Sequence, residues 1–285
     1  MSTQIRKKRK KNTAGNNISG AVAAAFVAIA SMLLVICTVL IVVEPIQLPT
    51  QFILEQLFPA DPVKPDSSNT KSDLPDDTAA SQSTLLTQTL PADNAYMDSI
   101  CFVGDSITYG LGAYGHTDKN STFGFVGLHQ ETALTKQYVN LGGSRLLTMA
   151  EAVGKLKPKR IVLLIGINAV SWMDESTFFS LYQQLIDDLK EASPNSVLII
   201  ESILPVTTYY ENYVDPRCDN KKIDDYNQKL LDLADKNDCY FLNTAEVFKA
   251  TDGTADVTLM NGDGLHVNNK GYERMLDYIR SHAVG

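Results

Sequence analysis

Three short blocks along the chain hold residue types that do chemistry together: Gly104-Asp105-Ser106, Gly166-Ile167-Asn168 and Asp263-Gly264-Leu265-His266. A serine hydroxyl becomes a nucleophile when a base takes its proton, and an imidazole is that base when a carboxylate fixes its tautomer. Asp263 stands three residues before His266, near enough across a tight turn to reach Nδ1 and leave Nε2 free. The carboxamide of Asn168 adds a donor for the oxyanion of a tetrahedral intermediate. Together these groups are what acyl transfer through a serine needs. Each block alone is ordinary, since Gly-Asp-Ser occurs in turns and an Asp before a helix is a good N-cap. No second His or Cys lies beside His266 at ligand spacing, so the sequence predicts no metal site and no cofactor. His116, His129 and His282 have no motif around them and read as surface or packing residues.

Such residues act only if the fold delivers them to one place. Apolar runs at residues 100–103, 138–141, 161–165, 197–200 and 240–242 read as short buried strands. Helical spacing fits between them, at about residues 174–192, 223–234 and 268–281. Alternation of this kind predicts an α/β fold whose parallel five-stranded sheet is covered on both faces. Ser106 and Asn168 each stand where an apolar run stops, at a strand's carboxyl end, where such sheets place their sites. Gly142 and Gly143 follow the 138–141 run, and a glycine there lets a backbone N–H approach a developing negative charge.

The first eighty residues read differently. Residues 19–43 contain no charge, and at about 1.5 Å per residue they exceed the ~30 Å hydrocarbon thickness of a bilayer. A cleaved signal peptide has an apolar region of only about 7 to 15 residues, so a single transmembrane anchor is expected. The run Arg6-Lys7-Lys8-Arg9-Lys10-Lys11 precedes it and Glu44 follows it, which places the N-terminus in the cytoplasm and the rest outside the cell. The expected organisation is a basic cytoplasmic tail (1–18), the anchor (19–43), a juxtamembrane segment and Pro/Ser/Asp-rich linker (44–83), and one catalytic domain (84–285). The chain has 25 basic and 33 acidic residues; the tail holds six of the basic ones and no acid, leaving 19 against 33, a formal net charge of about −14. Nucleic acid is excluded as a partner for that surface. Beyond Cys37 in the span there are three cysteines, Cys101, Cys218 and Cys239; a bridge between the last two is open, and three do not make a disulfide scaffold.

Taken jointly, in order and at strand ends, the blocks resemble the SGNH, or GDSL, hydrolase superfamily over about residues 98 to 282. Ser106 matches in GDSITYG, Gly143 in NLGGSRL, Asn168 in GIN, and the Asp263 and His266 pair in DGLHVNNKGY. The chain departs from the family pattern at Ile107, where the name-giving motif has Leu, and at Ala169, where an Asp usually follows the Asn; Gly142 offers an alternative register to Gly143. The resemblance implies a three-layer α/β/α, flavodoxin-like fold and a serine esterase or acylhydrolase. It implies Ser106, His266 and Asp263 as the triad, with Ser106, Gly143 and Asn168 as the oxyanion hole.

Two loops are expected to flank the pocket, 170–173 with Trp172 and 205–213 with Tyr209 and Tyr210. Aromatic rings there suit stacking on a sugar, and packing of the loops explains them equally well. The expected substrate is an O-acyl, above all O-acetyl, ester on a cell-envelope or extracellular carbohydrate, or a small ester. The alternative is an O-acyltransferase for a surface polysaccharide that works with a membrane partner.

Overall fold

The computed structural model describes residues 83–284. Five strands, β1 (Ile100–Gly104), β2 (Thr122–Gly124), β3 (Arg160–Leu164), β4 (Val197–Glu201) and β5 (Tyr240–Leu242), form one sheet in the order β2-β1-β3-β4-β5. Every pairing is parallel, with Gly104 opposite Leu164, Leu163 opposite Ile200 and Ile200 opposite Phe241. All five residues of β1 are buried, the continuous apolar run of a strand covered on both faces. Successive side chains then point to opposite layers. Cys101, Val103, Ile161, Leu163, Leu198 and Ile200 face one core, while Ile100, Phe102, Val162, Leu164 and Ile199 face the other.

The first layer is built from α3 (Gln130–Thr135), α4 (Met149–Leu156), α6 (Glu175–Ala192) and α7 (Asn220–Lys236), which bring Ala133, Val153, Phe178, Tyr182, Ile223 and Leu230 to the sheet. The second holds α2 (Ser106–Ala113) and α8 (Asn269–Arg280), through Ile107, Leu111, Tyr272, Met275 and Ile279. Short helices α1 (Asn94–Asp98) and α5 (Ile167–Val170) complete the set. Side-chain caps fix the starts: Asp174, Asp219 and Asn268 accept the N–H of Thr177, Lys222 and Gly271, each satisfying a donor that a helix end leaves open.

One strand differs from expectation. Residues 138–141 are not in the sheet; Val139 makes an isolated antiparallel bridge with Leu147 instead. The Asn140 carboxamide accepts the N–H of Gly142 at 2.9 Å and folds the run back on itself. The edge position belongs to Thr122–Gly124, where any Cβ on Gly124 would strike the Tyr109 backbone of α2, so only glycine lets helix and strand meet. The 142–143 glycines therefore occupy a hairpin turn and not a strand-end loop.

No helix among the described residues is long and apolar enough to cross a membrane. The expected tail at 1–18, anchor at 19–43 and all but the last residue of the 44–83 linker lie outside the described residues. Cys101, Cys218 and Cys239 are buried free thiols, so the open pairing of Cys218 with Cys239 is not made.

Candidate active site

The chain runs from β1 to β2 on one side and then crosses to β3 on the other, so the sheet order reverses between β1 and β3. Open α/β sheets leave a crevice at the carboxyl ends of two such strands. Ser106 follows β1 and Asn168 follows β3.

The turn from β1 into α2 is tight because Gly104 lies against the Leu164 carbonyl and the Thr108 hydroxyl, with no room for a Cβ. Asp105 caps α2: its Oδ1 accepts the Ile107 N–H at 3.0 Å, and its own N–H donates to the Leu164 carbonyl at 3.2 Å. Ser106 is thereby the first residue of the helix, with its N–H among the donors a helix start leaves unpaired. Burial pushes the Asp105 carboxyl up to about 7, against the lowering effects of the Ile107 N–H, the charge of His266 and the Gly166 N–H.

His266 comes from the loop that enters α8. Gly264 has φ +78° there and packs directly on the Thr207 hydroxyl, and the Thr207 N–H donates to the Gly264 carbonyl at 2.9 Å. Asp263 Oδ1 accepts the N–H of Leu265 at 3.0 Å and of His266 at 2.9 Å, which turns its Oδ2 to His266 Nδ1 at 2.7 Å. His266 Nε2 lies 3.0 Å from Ser106 Oγ, across 160 positions of sequence. Burial would raise the Asp263 carboxyl, but the two backbone N–H groups and the imidazole outweigh it and hold it below its usual value. With Asp263 ionised, Nδ1 carries the proton and Nε2 accepts the Ser106 hydroxyl. The His266 and Asp263 side chains are 36% and 50% exposed, so the site is open to bulk solvent on the His266 side.

Asn168 sits in α5, and its Nδ2 donates to the Leu128 carbonyl at 3.0 Å, leaving the second amide hydrogen for another acceptor. Trp172 follows one turn on, 52% exposed, and its indole N–H donates to the Asn168 carbonyl at 2.6 Å. Gly143 lies exposed in a bend, where a side chain would meet only the Arg145 carbonyl oxygen. Tyr209 is exposed and meets Tyr213 at 5.9 Å between ring centroids, whereas Tyr210 packs partly against the core. Where a loop was expected, Tyr210–Val214 wind into a π-helical turn capped by Tyr209, tied to the His266 loop through Thr207, whose Oγ1 accepts the Tyr210 N–H at 3.3 Å. The structure thus joins Ser106, His266 and Asp263 in one hydrogen-bonded chain and places Asn168 on the neighbouring strand end. It sets Trp172 beside Asn168 and Tyr209 on the loop next to His266.

Asp105 bonds the local backbone, as the turn reading of Gly-Asp-Ser expects, and so shapes the turn that carries Ser106; a second acid, Glu201, went unread in the sequence. Glu201 ends the apolar run of β4 as a fully buried carboxyl, pushed up to about 7 by burial; a charge closing such a run was the signal. Among the described residues no group of three or more His, Cys, Asp or Glu is placed to hold a metal ion.

Residues 102–274 match the model of the GDSL-like lipase/acylhydrolase family. No curated protein matches the chain's sequence. Among solved structures, a Bacteroides thetaiotaomicron GDSL-like lipase is 20% identical, covers 68% of this chain and 89% of its own, and superposes with a TM-score of 0.50. A Bacteroides fragilis protein assigned as an acylhydrolase is 19% identical over 67% and 88% of the two chains, also at 0.50. A Streptococcus pneumonia structure named for platelet activating factor is 24% identical over 64% and 81%, again at 0.50. These likenesses show the shared fold.

Proposed function

Because the chain belongs to the GDSL-like lipase/acylhydrolase family and so hydrolyses ester bonds, we propose that it is a serine esterase. Its substrate is an O-acyl, chiefly O-acetyl, group on a cell-envelope or extracellular carbohydrate. The observation that carries this reading is the unbroken chain from Asp263 through His266 to Ser106, at 2.7 and 3.0 Å. Ser106 Oγ attacks the ester carbonyl as His266 Nε2 takes its proton, and Asp263 stabilises the imidazolium that forms. The oxyanion is held by the Ser106 N–H and the free amide hydrogen of Asn168, with the Gly143 N–H as a third donor; losing one such donor typically costs about 10² to 10³ in rate. His266 then returns the proton to the alcohol oxygen, which leaves. Water, deprotonated by the same imidazole, attacks the acyl carbon, and the imidazolium returns that proton to Ser106 Oγ as the acid departs.

The carbohydrate part of the reading rests on the open side of the site and the two aromatic loops. A half-exposed carboxylate and a partly exposed imidazole leave room for a bulky alcohol, and the exposed rings of Trp172 and Tyr209 suit the apolar face of a sugar. Residues 6–43, basic and then uncharged, support an outward-facing enzyme on a single anchor. The test compares the protein with Ser106→Ala for acetate release from p-nitrophenyl acetate, acetylated xylan and acetylated peptidoglycan. Serine-dependent release from a polymer is expected; equal release by the variant on all three would end the proposal.

A further inference from the structure

Helix α5, four residues long, is too short to hold itself together. Its first carbonyl, that of Gly166, takes the N–H of Ala169 at 2.8 Å and of Val170 at 3.2 Å, and the Ala169 carbonyl takes those of Trp172 and Met173. The Val170 carbonyl accepts the Lys222 ammonium. The Asn168 carbonyl is capped by a side chain, the Trp172 indole N–H.

That indole is itself held. Its ring meets the ring of His129 edge-on, with centroids 5.2 Å apart and planes at 88°, a favoured aromatic geometry. His129 is the N-cap of α3 and directly follows Leu128, whose carbonyl receives the Asn168 carboxamide. The contacts close into a ring: Asn168 side chain to Leu128, Leu128 to His129 through the chain, His129 to Trp172, and Trp172 back to the Asn168 carbonyl.

On the esterase reading above, we infer that Trp172 is a positioning residue for the oxyanion donor as well as a surface for the substrate's alcohol portion. Its N–H bond to the Asn168 carbonyl and its contact with His129 set where the Asn168 amide points, while its exposed surface is where a sugar ring stacks. Stacking then presses on the same side chain that aims Asn168, so binding energy from a remote part of the substrate is expressed in the chemical step.

Trp172 is the only tryptophan in the chain, so biosynthetic replacement of tryptophan by β-(benzothien-3-yl)alanine changes this side chain alone, keeping its shape and removing the N–H. That protein, Trp172→Phe and the unaltered enzyme are assayed on triacetin and on an acetylated xylo-oligosaccharide, with kcat counted per site titrated by diisopropyl fluorophosphate. Both altered proteins are expected to lose about ten- to hundredfold in kcat on triacetin at unchanged KM, as a donor displaced by a fraction of an ångström to about 1 Å should. An unchanged kcat on triacetin, or an effect confined to KM on the oligosaccharide, overturns the inference. Ser106→Ala run alongside separates the two claims. Activity that survives its loss removes the esterase reading itself, whereas serine-dependent activity with a normal kcat in the altered proteins removes only the role of Trp172.

Discussion

Replacing Glu201 by Gln should stabilise the protein in alkali and leave it nearly unchanged in acid. Glu201 is fully buried at the end of β4, and burial raises its carboxyl from 4.5 to about 7; the Thr244 hydroxyl favours the charge and the nearby Asp105 opposes it. Tyr182 and Tyr278, whose hydroxyls feel its field, bring no positive charge. Below about pH 4.5 folded and unfolded chains both hold this proton, and the group costs nothing. Between about 4.5 and 7 the unfolded chain releases the proton while the folded one keeps it, so stability falls as pH rises; above about 7 the loss is complete. The rise from 4.5 to about 7, at ~1.4 kcal/mol for each pH unit, amounts to about 3–4 kcal/mol.

Gln imitates the neutral acid in shape and removes that cost. Urea denaturation of both proteins is the assay, at pH 4.5 and pH 9. At pH 4.5 the two should agree within about 1 kcal/mol, and at pH 9 the variant should be more stable by up to ~3–4 kcal/mol, or about 6–16 °C in Tm for a domain of this size. Asp105, a second buried carboxyl pushed up to about 7, adds a smaller raising effect on Glu201. A stability difference that does not change with pH, or a variant less stable at pH 9, would refute the reasoning, because Glu201 would then be ionised and paired in the fold.

Two other outcomes follow from the site and its support. Asp263→Asn should cut kcat on p-nitrophenyl acetate by about a thousand- to ten-thousandfold with KM held within about twofold, since an amide opposite Nδ1 permits the wrong tautomer; steady-state kinetics decide it, and a retained kcat would dismiss Asp263 as the orienting carboxylate. Tyr272→Phe removes the hydroxyl that donates to the Ile107 carbonyl at 3.0 Å, and should lower stability by about 1 kcal/mol, or roughly 2–4 °C in Tm, read by calorimetry.

The strands of the sheet's interior were legible because burial on both faces forces an unbroken apolar run, as in β1, β3 and β4. Of the two edge strands, β5 was read at 240–242 and β2 was not. Thr122–Gly124 has one buried residue of three, too short for any periodicity, while residues 138–141 carry the better strand pattern and lose the place to a local Asx turn at Asn140. The residues proposed to act through their side chains, Ser106, Asn168, Asp263 and His266, stood out by type and position. What fixes Asn168 did not, because Leu128 contributes only its carbonyl oxygen, and a backbone group leaves no mark on the identity of its residue. The contact of Trp172 with Asn168 spans four positions and is the readable part of that support.

The distance in sequence between Ser106 and His266 sets when the chain can first act. Translation delivers Ser106, the proposed nucleophile, 160 residues before His266, its proposed base, on the order of ten to thirty seconds earlier at ~5–20 residues per second. The helix that follows the base, α8, then docks on α2 through Tyr272, in a gap kept open by Gly110, where a Cβ would collide with the tyrosine hydroxyl. On the proposed triad, a chain cut before His266 carries Ser106 without its base, so esterase turnover reports that α8 is seated on α2. Turnover can therefore serve as a clock for completion of the fold, stopped by any event that peels that helix away while the sheet survives.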